Sequence, residues 1–162
     1  MKKIFLLSFM VFAAALSACK EEKSAATTPP ANTRPLTVIS SDGKTHSFNV
    51  EMALTPEKQA LGLMHRTELA DNAGMLFLFP GEAERTFYMK NTLIPLDMIF
   101  IRMNGVIHHI HENAIPQDLT SIPSNGPVHA VLEVKGGTAS KLGLKPGDTI
   151  AGEMFPSAAS IQ

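Results

Sequence analysis

The 162-residue chain carries 14 basic and 15 acidic side chains, a formal net charge of −1, and is 44% hydrophobic and 18% charged. That balance excludes a nucleic-acid binder working through a basic field, and the composition excludes a collagen, a coiled coil or a disulfide-stapled mini-protein. The length is that of one domain, or of one domain with a tail.

In chain order, Lys2 and Lys3 precede an apolar run from Ile4 to Leu16 broken only by Ser8. The run is shorter than the ~20 residues that a membrane span needs, and a basic head, a short apolar stretch and small residues together have the form of a secretory signal. Leu16-Ser17-Ala18-Cys19 resembles a bacterial lipobox, in which the cysteine becomes the acylated first residue of the mature chain. Sulfur takes the diacylglyceryl group, and the small residues before it let the signal peptidase reach the backbone. The expectation is a signal peptide over residues 1–18 and lipidation at Cys19. With about 0.8 kcal/mol for each buried CH₂, two or three acyl chains hold a protein on a membrane practically for good. Lys20 stands where an aspartate would be the inner-membrane retention signal, so the expected address is the periplasmic face of the outer membrane in a Gram-negative cell. Cys19 is the only cysteine, so its acylation leaves no thiol for a disulfide or a nucleophile. Removal of residues 1–18 takes away two bases and no acid, which moves the net charge to −3.

Residues 19–35 are polar, contain prolines and lack apolar periodicity, and read as a flexible tether with an average span of about 20–25 Å. A single domain is expected over residues 36–156, followed by a short tail, 157–162. Leu36 to Ile39 and Thr45 to Met52 read as strands around Asp42-Gly43, a pair suited to the positive φ of a hairpin. Thr55-Pro56-Glu57 opens a helix with a capping hydroxyl, a proline in the first turn and an acid near the positive end of the dipole. Ala60, Leu63 and Met64 share its apolar face, and it is expected to end near His65-Arg66. Met75 to Phe79 is an apolar run between Gly74 and Pro80, read as a buried strand. Further strands are expected over 85–89, 96–103, 106–111, 128–134 and 149–155, with Asn104-Gly105 as a hairpin turn. Residues 112–127 read as a long surface loop, and Thr138 to Leu142 as one helical turn closed by Gly143. The fold class is therefore mainly β: a compact antiparallel sandwich or barrel, jelly-roll-like, with one or two short helices.

Four segments carry a family likeness: Gly62-Leu63-Met64-His65-Arg66, Gly74-Met75-Leu76-Phe77, Met89-Lys90-Asn91-Thr92 with Ile94-Pro95-Leu96-Asp97, and Val131-Leu132-Glu133-Val134. With Gly147-Asp148 they make the chain similar to the family called domain of unknown function 192, over about residues 37–155. The resemblance implies a compact, mainly β fold and no particular activity. Tyr88 departs from the tryptophan that members often carry before the Met-Lys-Asn-Thr motif; either ring fills space and offers a polar tip.

Asp97 sits in an otherwise apolar stretch, Leu93 to Ile101, and a carboxylate there has to be paired, hydrogen-bonded or exposed at a strand end. Arg66 and Lys90 are its expected partners. On the strand over 128–134, Val128, Ala130, Leu132 and Val134 take one face, leaving His129, Val131, Glu133 and Lys135 on the other. Arg66, Lys90, Asn91, Asp97 and Glu133 are thus expected either to form one polar pocket for a small polar or anionic ligand, or to form a salt-bridge network pinning the helix and the 90–97 loop to the sheet. His109 and His111 share a strand face while His108 points away, which gives two ligands where structural zinc takes four, and no metal or other cofactor is assigned. Nucleophile elbows, His-Glu-x-x-His and phosphate-cradling glycine loops are absent. The leading expectation is a lipid-anchored envelope module that binds a small ligand or a protein, with no nucleic acid among its partners. The alternative is an envelope enzyme with Asp97 or Glu133 as general base.

Overall fold

The computed structural model describes residues 32–152, 154 and 155. The expected signal peptide, the lipidation site Cys19, the tether up to residue 31 and the tail 157–162 lie outside the described residues.

The first two strands, β1 (Thr33–Ile39) and β2 (Thr45–Ala53), form an antiparallel hairpin in which Pro35 stands opposite Asn49 and Leu36 opposite Phe48. Sheet pairing therefore begins at Thr33, three residues before the expected domain start. At the turn only Gly43 has positive φ (82°), while the Asp42 side chain accepts from the Lys44 N–H at 3.2 Å. Aspartate here closes the turn through its carboxylate, and the glycine supplies the conformation.

Helix α1 (Pro56–Leu61) starts as expected, with the Lys58 N–H donating to Thr55 Oγ1 at 3.3 Å, but stops at Gly62 instead of near Arg66. Gly62 has φ 49° and ψ −135°, outside helical space, so the chain swings away there. As a result α1 itself buries no residue; Ala60 is exposed, and Leu63, just beyond the helix, is the apolar anchor. The chain then enters β3 (Ala73–Ala83) parallel to β2, with Val50 opposite Gly74. A helical crossover between neighbouring strands makes that pairing parallel, against the wholly antiparallel expectation.

The rest follows as β4 (Thr86–Phe87), β5 (Leu96–Ile101), β6 (Ile107–Ala114), β7 (Ile122–Pro123), β8 (Val128–Lys135), α2 (Thr138–Leu142) and β9 (Thr149–Ala151). Seven strands form one sheet in the order β6-β5-β8-β3-β2-β1-β9, and β4 pairs with β7 in a separate two-stranded ribbon. Residues 112–127 are a surface loop only in part, from 115 to 121, where Ile115 and Leu119 are exposed. Glu112 to Ala114 extend β6, Ile122 and Pro123 pair with Phe87 and Thr86, and Ala114, Ile122 and Ser124 are buried. Ser124 holds this segment, its N–H donating to the Arg85 carbonyl at 2.8 Å and its hydroxyl to the Gly126 carbonyl at 2.6 Å.

The sheet curls until its edge strands meet. The Ile107 N–H donates to the Asp148 carbonyl at 2.8 Å and the Ile150 N–H to the Gly105 carbonyl at 2.7 Å, so the start of β6 lies against β9. This contact covers β9 and the start of β6, edge backbone that would otherwise template association. Side chains alternate between two cores. One face carries Leu36, Val38, Phe48, Val50, Leu76, Ile99, Ile101, Leu132, Val134 and Ile150, drawn from six strands of the sheet, and is the barrel interior. The other carries Met75, Phe77, Leu96, Met98, Phe100 and Val131, and is covered by Leu63, Met89, Phe87 and Ile122 from the α1–β3 connection, the 88–95 segment and the β4–β7 ribbon. Truncating a large residue in either core costs about 2–5 kcal/mol.

Candidate functional site

Asp97 points into the barrel-interior face and is 0% exposed. Its Oδ1 accepts from the N–H groups of Asn113 (2.8 Å) and Gly137 (3.0 Å), and its Oδ2 from the N–H of Ala139 (2.7 Å). Three backbone donors thus take the place of the expected Arg66 or Lys90. The carboxylate ties the end of β6 to the entry of α2, where Gly137, at φ 83°, brings no side-chain cap of its own. Three backbone donors on a carboxylate with no exposed surface leave Asp97 out of reach of a substrate and argue against it as a general base.

Arg66 is bound elsewhere: its guanidinium forms a two-bond pair with Glu51 on β2, Nη1 to Oε1 at 2.6 Å and Nη2 to Oε2 at 2.7 Å. Lys90 and Asn91 are exposed on the turn that leads from the ribbon to β5. Asn91 takes φ 54°, its carbonyl accepts from the His65 N–H at 2.8 Å, and the Thr92 N–H closes the turn on the Met89 carbonyl at 3.1 Å. The Met-Lys-Asn-Thr motif therefore works as a turn that tolerates a left-handed asparagine and holds the Gly62–Arg66 segment in place.

Glu133 stands on the opposite face of the sheet from Asp97, although the two are neighbours in register, with Met98 opposite Glu133 and Asp97 opposite Val134. The five side chains do not converge: Asp97 and Glu133 are separated by the sheet, and Arg66 is held by Glu51. The cause is the period of two along β5 and β8, which sends adjacent positions to opposite faces.

What surrounds Glu133 was not visible in the sequence. It is flanked in register by Met75 on β3 and Met98 on β5, is 5% exposed, and makes no hydrogen bond or ion pair among the described residues. Burial with no compensating donor pushes its carboxyl up to about 8, so the group is mostly protonated at neutral pH. It lines a cavity of about 380 Å³ between α1, the Gly62–Met64 turn, Phe77 and Phe79 of β3, and Glu84 to Tyr88. Gly62 forms part of the wall: a Cβ there would lie 3.3 Å from the Phe77 ring and 3.9 Å from Glu133 Oε2. Phe77 meets Phe87 edge to face at a centroid distance of 5.3 Å.

Arg85 closes another side. Its guanidinium carbon lies 4.1 Å from the Phe79 ring centroid, Nη2 reaches the Gly81 carbonyl at 3.4 Å, and Nε is buried with no partner. Among the other polar wall residues, Gln59 has its amide donors committed to the Ala53 and Leu78 carbonyls at 3.2 and 3.0 Å. The site thus combines aromatic walls with two buried polar groups that the protein leaves unmet.

The histidines are placed apart from this cavity. His108 is held between Arg102 (3.0 Å) and the Asn125 carbonyl (2.9 Å), and His109 stacks on Phe100 at 5.7 Å, where burial and the neighbouring His111 and His108 lower its pKa. Among the described residues no three His, Cys, Asp or Glu side chains are grouped for a metal ion.

Fold and site together define a small, mainly β domain built on a curled, barrel-like sheet with a ligand-sized cavity on its outer face. The chain belongs to the domain of unknown function 192 family, whose profile, described as an uncharacterized ACR, matches residues 37–152. Among solved structures it is similar to a protein from Sinorhizobium meliloti 1021 provisionally labelled a transcription regulator: 42% identity, TM-score 0.74, 75% of this chain and 95% of that one covered. It is similar as well to a protein of unknown function from Novosphingobium aromaticivorans DSM 12444, at 47% identity and TM-score 0.71, covering 74% of this chain and 85% of that one. No curated protein matches the chain.

Proposed function

We propose that this protein is a lipid-anchored envelope module, facing the periplasm, whose barrel binds a small ligand in the Glu133 cavity. The observation that carries the binding role is Glu133 itself. An unmet buried carboxyl costs stability, about 1–3 kcal/mol, and a fold retains such a group where a bound molecule satisfies it. The anchoring half rests on the basic head, the short apolar run and Leu16-Ser17-Ala18-Cys19. A chain of net charge −1 gives no support to nucleic-acid binding. The cavity wall also turns the ligand expectation away from a simple anion, since Glu84 offsets the one cation there, Arg85.

A second reading is favoured by one fact, the Glu133 pKa of about 8, which suits a general acid–base group at neutral pH. In an enzyme of this fold Glu133, and not Asp97, is then the proton-transfer residue.

Both halves of the proposal are open to test on the full-length protein extracted from membranes in mild detergent. Labelled palmitate is expected to attach to the wild type and not to Cys19→Ala; an unlabelled wild type overturns the anchor. Native mass spectrometry is expected to show a small co-purifying mass that Glu133→Leu loses. An adduct of equal occupancy in both overturns the cavity assignment.

A further inference from the structure

Resting on the reading of the Glu133 cavity as a ligand site, we propose that the ligand is a small zwitterion of amino-acid or dipeptide size, its ammonium on Glu133 and its carboxylate on Arg85. Two independent observations carry this. Among the described residues Glu133, 5% exposed, makes no hydrogen bond or ion pair and the Arg85 guanidinium pairs with no carboxylate, and both residues line the same cavity of about 380 Å³. They do not serve each other, since no ion pair among the described residues joins them. A ligand with a single charge would satisfy one group and leave the other unmet, whereas a zwitterion answers both.

The remaining wall fixes the rest of the ligand. Phe77, Phe79, Phe87 and Tyr88 offer ring surface to an apolar side chain and ring faces to an ammonium. Glu84, exposed at the same wall, adds a second negative group that favours the ammonium. The volume lies near the lower end of ligand cavities, roughly 300–1,000 Å³, which fits one or two residues and no more.

Binding then has a proton signature. In the empty protein the Glu133 carboxyl holds its proton at pH 7. When a ligand ammonium arrives, the carboxyl O–H breaks, the proton passes to solvent, and the carboxylate pairs with the ammonium. Close to one proton is released for each ligand bound.

Calorimetry on the full-length protein at pH 7, in phosphate and in Tris, reads this release directly. With phenylalanine, leucine and alanylphenylalanine as probes, at least one is expected to bind with close to one proton released. N-Acetylation or amidation of that probe is expected to weaken it at least about tenfold, the scale of one charge-assisted hydrogen bond. Glu133→Gln is expected to abolish the proton release, and Arg85→Met to abolish the preference for the free acid over its amide, both variants melting cooperatively as a check on folding. Silence of all three probes, or full affinity in Glu133→Gln, overturns the inference. If phenethylamine instead binds in a Glu133-dependent way with affinity equal to phenylalanine, the zwitterion is wrong and the cavity reading stands. Silence of every probe together with no co-purifying mass overturns both.

Discussion

Asp97 and Glu133 are both buried, stand on adjacent strands one register step apart, and are treated in opposite ways by the fold. Asp97 receives three backbone N–H groups from two separate segments, while Glu133 receives none. The first carboxylate is a structural tie: it satisfies donors at the mouth of α2 that would otherwise be orphaned inside the barrel. The second is held at a cost on a face that opens into an aromatic cavity. One sheet thus separates a group that builds the fold from a group that the fold leaves available.

That contrast breaks most visibly at Asp97. Asp97→Ala strands three N–H groups, of which that of Ala139 is buried and those of Asn113 and Gly137 partly so. It is expected to cost about 2–4 kcal/mol in urea unfolding, with Asp97→Asn recovering only part because it offers a single accepting oxygen. A loss below 1 kcal/mol would remove its role as a tie. Glu133→Met should do the reverse and raise stability by about 1–3 kcal/mol at pH 7, by replacing an unmet polar group with an apolar one of similar length.

The pH dependence sharpens the same point. A carboxyl raised to about 8 in the folded protein, from 4.5 as its ordinary value, binds more protons folded than unfolded between those limits. Stability attributable to Glu133 is therefore full below pH 4.5, declines as pH rises from there to about 8, and levels off above it. Urea midpoints for wild type and Glu133→Met, compared from pH 5 to 8.5, should show this decline only in the wild type. Smaller effects belong to the periphery. Gly62→Ala forces a side chain into φ 49° against the Phe77 ring and is expected to cost about 1–2 kcal/mol while narrowing the cavity. Glu51→Ala, which breaks the partly exposed pair with Arg66, should cost under about 1 kcal/mol and less still in high salt.

The alternation along residues 130–134 places Glu133 on the face opposite Leu132 and Val134, because a half-turn per residue is a local property. It fails at the start of β8, where the register with β3 shifts, Val128 packs with Val131 in the outer core and His129 meets Phe155 of the inner one. The oddness of Asp97 among apolar neighbours was equally legible, but the identity of its partners was not. The amides of Asn113, Gly137 and Ala139 lie 16, 40 and 42 residues away and have no side-chain signature. A cation seemed the natural partner only because cations can be read from a sequence and backbone donors cannot. The cavity was hidden for a different reason. Its walls come from the α1–β3 crossover and the β4–β7 ribbon, and neither parallel pairing nor a two-residue strand leaves a periodic trace. Gly62 is legible as a motif residue, yet its φ of 49°, which ends α1 early, and its closeness to the Phe77 ring across the wall leave no mark in the sequence.

The central claim, a protonated and unpartnered Glu133 presented to a cavity, is tested most directly by following the ¹³C resonance of its side-chain carboxyl with pH in the ligand-free protein, assigned by comparison with Glu133→Gln. A midpoint near 8 is the result this account predicts. A midpoint near 4.5, that of a solvated glutamate, would contradict it.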